Sequence, residues 1–342
     1  MNQQGAISTP SVLPPGVRIR DRLQRVTVLD TSAASNNLGD KVIMEAVNAE
    51  LAPVFPGAAM FAVTSHEWMG PHSRKLIRES EWAIAGGTSL LSSRMWFRCS
   101  WRVQPMDALA GLNIVCMGVG WYQYQHAPDP YSRWMLRSLL HPTALHSVRD
   151  SYTLAKFHSL GLKNVVNTAC PTMWQLTPDH CASLPKAKGR SVLTTINSYP
   201  KLFDRDADGR MFEMLRRHYD SVYCWIQTYS DYEYARSLDP DLLFVDPSLG
   251  ALDAILSSEV DLDYVGNRLH AGIRALQKGR RSVIVEIDNR AREMGGDFGL
   301  PTVGRTEFDR LESMIAQPFE IAVNLPVREI EQWKAQFRER PE

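Results

Sequence analysis

The feature that most constrains this chain is the alternation of short β-branched runs with stretches of helical period. Runs at 26–30, 60–64, 82–86, 113–120, 146–149 and 164–168 read as strands. A second series follows at 191–196, 221–226, 242–246, 262–265 and 282–287. Helix-period stretches sit between them, at 40–51, 151–159, 210–219, 251–257 and 269–278. In the first of these, Val42, Ile43, Ala46, Val47 and Leu51 share one face. Strands that alternate with helices form parallel sheets covered on both faces. The chain is therefore expected to be α/β, with two Rossmann-like domains facing a central cleft. The expected division is a flexible lead-in at 1–22, an N-terminal α/β domain at 23–176, a C-terminal one at 190–316 and a terminal helix within 317–342. The stretch 177–190 has Pro, Lys and Gly with little periodicity and reads as a linker.

Composition narrows the function classes. Hydrophobic residues are 44% and charged residues 22% of the 342, which excludes collagen-like, coiled-coil and wholly disordered chains. Lys plus Arg is 38 and Asp plus Glu is 38, a formal charge of zero. Such a chain has no global field to attract nucleic acid, so any anion site must be local. The five cysteines (Cys99, Cys116, Cys170, Cys181, Cys224) are scattered without a C-x-x-C, and the nine histidines form no zinc-ligand spacing. No metal is expected, and Cys116 and Cys224, inside apolar runs, read as buried free thiols. Residues 1–22 lack an apolar signal-peptide region, and the longest apolar stretch, 108–122, is too short and too punctuated to span a bilayer. A cytoplasmic location is the resulting expectation, one that leaves room for peripheral contact with a membrane.

Ligands of doubly wound sheets bind beyond the carboxyl ends of the strands, so motifs just after strands carry the functional reading. Asn37, Gly39 and Asp40 follow the first strand; they read as a turn with Asp40 capping the next helix, or as an anion or sugar site. Gly86-Gly87-Thr88-Ser89 follows the third and either ends it or lets a ligand approach the backbone. Trp121, Tyr122 and Tyr124 crowd the loop after the fourth, as a sugar-stacking surface or a hydrophobic plug. Arg149 ends the fifth, poised for a carboxylate or phosphate or for an ion pair with Asp150.

The sharpest motif is Arg268-Leu269-His270, which opens the helix at 269–278. A guanidinium and an imidazole meet the positive end of a helix dipole there, a setting that favours an anion. A bound anion would raise the pKa of His270 and make it a proton donor near neutral pH. Beside it Asp288, Arg290 and Glu293 form either a ligand-binding group or a supporting ion-pair network.

Taken together these residues resemble the polysaccharide pyruvyl transferase family. The resemblance rests on Asn37–Asp40, on Gly86 to Ser89, on Ser147 to Asp150 and on Cys170-Pro171. It rests above all on the run from Gly266 to Gly279, with Arg268, His270, Ala271, Ala275 and Leu276, and on Asp288 and Arg290. It implies a GT-B-like fold, phosphoenolpyruvate as co-substrate with no other cofactor, and a sugar or lipid-linked oligosaccharide as acceptor. It implies His270 and Arg268 as catalytic groups, and Arg149, Arg268, Leu269 and Arg290 around the donor. Asn37, Asp40, Gly87, Thr88, Trp121 and Tyr122 are then expected on the acceptor side. One departure is the pair Arg280-Arg281 after Gly279, which bears on the shape of the donor pocket. From Gly266 to Arg292 bases outnumber acids by seven to two, a local excess within the neutral chain. Two other readings fit the same residues: a GT-B glycosyltransferase using a nucleotide sugar, and a non-catalytic glycan-binding protein.

Overall fold

The computed structural model describes residues 23–97 and 100–338. The first sheet contains β1 (Arg25–Asp30), β2 (Ala59–Thr64), β3 (Trp82–Gly86) and β4 (Ile114–Met117) in the order β2-β1-β3-β4, all parallel. A parallel pair, β5 (His146–Val148) and β6 (Val165–Asn167), continues it beyond β4 through the isolated bridge Val119–Val148. The second sheet contains β7 (Ser191–Thr194), β8 (Ser221–Trp225), β9 (Leu243–Val245), β10 (Leu262–Gly266), β11 (Ser282–Glu286) and β12 (Thr302–Gly304). Its order, β12-β11-β10-β7-β8-β9 with every pair parallel, is that of the dinucleotide-binding α/β fold. The direction of winding reverses between β7 and β10, and in the first sheet between β1 and β3. A crevice opens at each reversal, and the two crevices face one another. The architecture is α/β with two Rossmann-like sheets about a central cleft, as in GT-B folds.

Both faces of each sheet are covered, which explains the nearly unbroken apolar runs. In β3 and β4, Ala83, Ala85, Ile114 and Cys116 enter one core, while Ile84, Val115 and Met117 enter the other. That alternation is the two-residue period of a strand. Cys116 and Cys224 are buried free thiols, and burial pushes both upward in pKa; Cys99 lies outside the described residues.

The structure adds detail to two segments. Residues 177–190 are not a bare linker. Thr177 caps a short helix, Pro178–Ala182, and Cys181 and Leu184 are buried against the second sheet. A Thr cap followed by Pro starts a helix even where apolar periodicity is too brief to see. The terminal helix, Val327–Ala335, does not stand apart but returns to the first sheet. Its Ile330 and Trp333 join Val26, Val28 and Ile84 in one core. Gln336 accepts from the Leu145 amide at 2.8 Å, and Lys334 pairs with Glu50 at 2.7 Å. The sequence reading also passed over β12 and the helices Pro71–Glu79, Pro130–Leu139, Tyr229–Leu238, Asn289–Phe298 and Phe308–Ala316. β12 is only three residues long, and Pro71–Glu79 buries only Ile77.

Trp333 is fully buried, with ring centroids 4.8 Å from Phe337 and 6.1 Å from Trp174. Trp333→Ala is expected to cost about 3–5 kcal/mol of stability in urea unfolding, as truncation of a buried aromatic does. A cost below ~1 kcal/mol would show that the terminal helix contributes no core.

Candidate active site

Between the two sheets lies a cavity of about 470 Å³. One wall comes from the loops after β1, β2, β3 and β4, through Asn37, Asp40, His66, Thr88, Ser89 and Tyr122. The opposite wall comes from the loops after β7 and β11, through Tyr199 and through Asp288, Asn289 and Arg290.

The β3 turn is tightly specified. Gly87 has φ +60°, and a Cβ there would lie 2.1 Å from Ile43 Cγ2. Thr88 follows at φ +51°, an uncommon conformation for a β-branched residue that costs roughly 1–3 kcal/mol. The turn delivers the Thr88 hydroxyl toward Asp40, at 3.4 Å from Oδ1, while Ser35 Oγ donates to Oδ2 at 2.6 Å. Burial raises the pKa of Asp40, although those hydroxyls, His66 and Arg290 act in the other direction.

Of the two buried arginines nearby, Arg290 acts electrostatically on this carboxyl and Arg149 lies behind Ser89. Arg149 is 1% exposed; its Nε donates to Asp150 at 3.1 Å and its Nη2 to Ser89 at 3.0 Å. The guanidinium fits only because residue 120 is glycine: a Cβ there would lie 2.1 Å from Cζ of Arg149. Arg290 makes a two-point contact with Asp288, Nε at 2.9 Å and Nη2 at 2.5 Å. Burial works to raise the pKa of Asp288, but Arg290 more than offsets it and holds the carboxylate ionised.

His270 occupies the first turn of helix Leu269–Gln277. Burial lowers its pKa to about 3, and the positive charges of Arg290 and Arg149 press in the same direction. It is therefore a neutral imidazole in the free protein. Neither ring nitrogen has a hydrogen-bond partner among the described residues, and the same holds for Nδ2 of Asn197, both amide atoms of Asn267, Oε1 of Gln227 and Nδ2 of Asn289. All five residues follow carboxyl ends of second-sheet strands. Buried polar groups are normally paired, so a row of unpaired ones at a switch point marks a site for a polar ligand.

The sequence-predicted residues divide when placed in this geometry. Asp40, Thr88, Tyr122, Arg290 and Asn37 line the cavity. Arg149 and His270 interact electrostatically with one another and with Asp288. Asn37, not Asp40, caps the helix after β1, accepting from Gly39 N, and it also accepts from Gln227 Nε2 of the second domain. Arg268 is not a free cation. It caps the helix, and its Nη2 meets Asp231 at 2.6 Å while its Nε donates to the Ile196 carbonyl at 3.0 Å. Its guanidinium lies 5.0 Å from the ring centroid of Tyr199, so it positions the Tyr199 wall of the cavity. The Leu269 side chain packs in the core, leaving only its backbone for a ligand. Trp121 is no stacking platform: it is fully buried, and its indole donates to Ser93 Oγ and Gln125 Oε1. Its apolar face outweighed any surface role, and Tyr122 alone of that pair reaches the cavity.

Sequence reasoning missed His66, Tyr199, Gln227 and Asp231, while Ser89 belongs to the Gly86–Ser89 turn that it singled out. His66 and Tyr199 do follow strands by a few residues, which was the signal available. Arg280 and Arg281 lie at the amino end of β11, away from the cleft. Arg280 donates to the carbonyls of Leu256, Ser258 and Val260, and Arg281 pairs with Asp263 at 2.8 Å. The local excess of bases is likewise neutralised through folding. Arg274 and Lys278 meet Asp253, Arg292 meets Glu286, and Arg268 meets Asp231.

No curated protein matches the chain. Among solved structures it is similar to one described as "S. aureus MnaA-UDP co-structure", at 11% identity over 94% of this chain and 99% of that one, with a TM-score of 0.48. It is also similar to the "Structure of the Wall Teichoic Acid Polymerase TagF", at 11% identity over 92% and 84%, with a TM-score of 0.39. The family profile described as "Polysaccharide pyruvyl transferase" matches residues 37–289, from the Asn37 cap to the residue before Arg290, and the chain belongs to that family.

Proposed function

We propose that this protein moves a pyruvyl group from phosphoenolpyruvate to two hydroxyls of a sugar in a surface glycan, forming a cyclic ketal and releasing phosphate. The observation that carries the reading is His270: buried, neutral, unpartnered at both ring nitrogens, and under the field of Arg149 and Arg290. Two guanidiniums facing one imidazole suit a small ligand with two anionic groups, and phosphoenolpyruvate has a carboxylate and a phosphate on one enol carbon.

The reaction balances as follows. A proton adds to C3 while a sugar oxygen bonds to C2 and loses its own proton. Phosphate then leaves C2 with its bonding electrons. A second sugar oxygen bonds to C2, and its proton is carried away by phosphate or a basic group. Arg149 and Arg290 hold the anionic groups, each steadied by a carboxylate, Asp150 and Asp288. His270 supplies a proton to C3 or to the departing phosphate. Asp40, on the facing wall and raised in pKa by burial, is placed to receive the acceptor proton. Arg268 and Asp231 hold the wall rather than the ligand.

His270 gives the reading a pH signature. In the free protein two cations and burial hold its pKa near 3. A bound dianion reverses the sign of the local field and raises it. Donor binding should therefore take up a proton, with affinity rising as pH falls from 8 toward 6. Calorimetry in buffers of different ionisation enthalpy measures this uptake, and His270→Gln should abolish it. Zero uptake in the wild type at pH 7 would remove His270 from the acid role. In single-turnover assays His270→Ala should lose ~10²–10⁴ in rate, and Asp40→Asn a comparable factor with loss of the acidic limb of the pH profile. Arg290→Lys, which keeps the charge but not the fork, should weaken donor binding about ten- to a hundredfold. Gly120→Ala should weaken it too, with every charge intact, because the added methyl displaces the Arg149 guanidinium. Thermal shifts with phosphoenolpyruvate, UDP-sugars and GDP-sugars test the donor directly; a selective shift with a nucleotide sugar would assign a glycosyl transfer instead.

A further inference from the structure

The N-terminal domain exposes large aromatic side chains that do not line the cavity. Trp96 is 70% exposed, Phe97 82% and Trp68 57%, with Trp134 also exposed. Trp96, Tyr131 and Trp134 form a chain of rings, with centroids 5.8 and 6.0 Å apart, and Phe97 adjoins Trp96 at 6.4 Å. The Arg102 guanidinium lies 5.5 Å from the Trp68 ring centroid. Arg94, Arg102 and Arg137 are exposed on these same segments. Glu67 is the one exposed acid among the described residues of 66–69, 94–97, 100–103 and 130–137.

We infer that this surface rests on an anionic lipid bilayer. Large exposed apolar patches mark interaction sites, and amphipathic rings interleaved with arginines are the composition of a membrane interface. The chain as a whole is neutral, so the attraction is local to this face. A second copy is a poor occupant, because a twofold contact would bring two sets of these arginines into one interface with only one exposed acid, Glu67, from each copy. Among the described residues no helix is long and apolar enough to cross a membrane, so contact through this face would be peripheral.

The Trp68 and Arg102 end of this surface adjoins the cleft. His66 Nδ1 and the Ser100 carbonyl are 3.0 Å apart, and both residues line the cavity, while Trp68 and Arg102 lie two positions further along the same segments. A bilayer on this face brings a lipid-anchored acceptor to the mouth of the site. The binding stands apart from the chemistry, and only this last consequence rests on the pyruvyl transfer reading.

The test is co-sedimentation of the full chain with vesicles of phosphatidylcholine alone and of phosphatidylcholine with about one-third phosphatidylglycerol. Binding is expected to the anionic vesicles, weaker at high salt, and reduced at least about tenfold by the double variant Trp96→Ala/Phe97→Ala. Arg94→Gln/Arg102→Gln should reduce it as well, and serves alone if the first variant does not fold. Both variants should keep the melting temperature of the unsubstituted chain, which separates loss of membrane contact from loss of the fold. Failure to bind either vesicle, or binding that neither variant weakens, overturns the inference. So does equilibrium sedimentation in which the variants convert a dimer to a monomer.

Discussion

The site depends on one buried carboxylate. Asp231 accepts from the Ser198 amide and hydroxyl, from the Thr228 amide and from the Arg268 guanidinium. Those donors belong to the loops after β7, β8 and β10, the strands that surround the switch point. Arg268 in turn caps the helix that carries His270 and lies against Tyr199. Loss of either charged partner would strand the other in a dry interior, a loss of roughly 3–5 kcal/mol. The ion pair thus anchors the start of the helix that carries His270.

Much of the fold was legible because its strands are buried on both faces. β3 has the bounds read from sequence, and ten other strands agree within a few residues. β12 escaped because three residues carry no period, and several helices escaped because only a thin stripe of each is buried. The lining of the cleft was legible where a residue follows a strand and its partner is local or absent, as for Arg290, held by Asp288 two positions away, and for His270, whose ring nitrogens have no hydrogen-bond partner among the described residues. It was illegible where the decisive partner is remote in sequence. Arg268 and Asp231 are 37 positions apart, and no local pattern ties them. Trp121 shows the same limit from the other side: an aromatic at a strand end is read as surface until its neighbours are known to bury it.

Charge teaches a related lesson. The neutral total is built from paired groups, and the apparent basic block after Gly266 dissolves once acids from other segments come alongside. What remains distinctive in the cleft is less an excess of arginine than the way arginine is held. Arg149 and Arg290 are each anchored by a neighbour in sequence, so their orientation is set before a ligand arrives and little ordering is left for binding to supply.

The returning helix has a consequence for how the molecule comes into being. Ile330 and Trp333 complete the core that also holds Val26, Val28 and Ile84. These partners are far apart in the chain, with the entire second sheet between them. The first domain cannot close its apolar core as it leaves the ribosome, and its sheet waits, partly uncovered, for the last helix. The half of the protein that is translated first is therefore among the last to be finished.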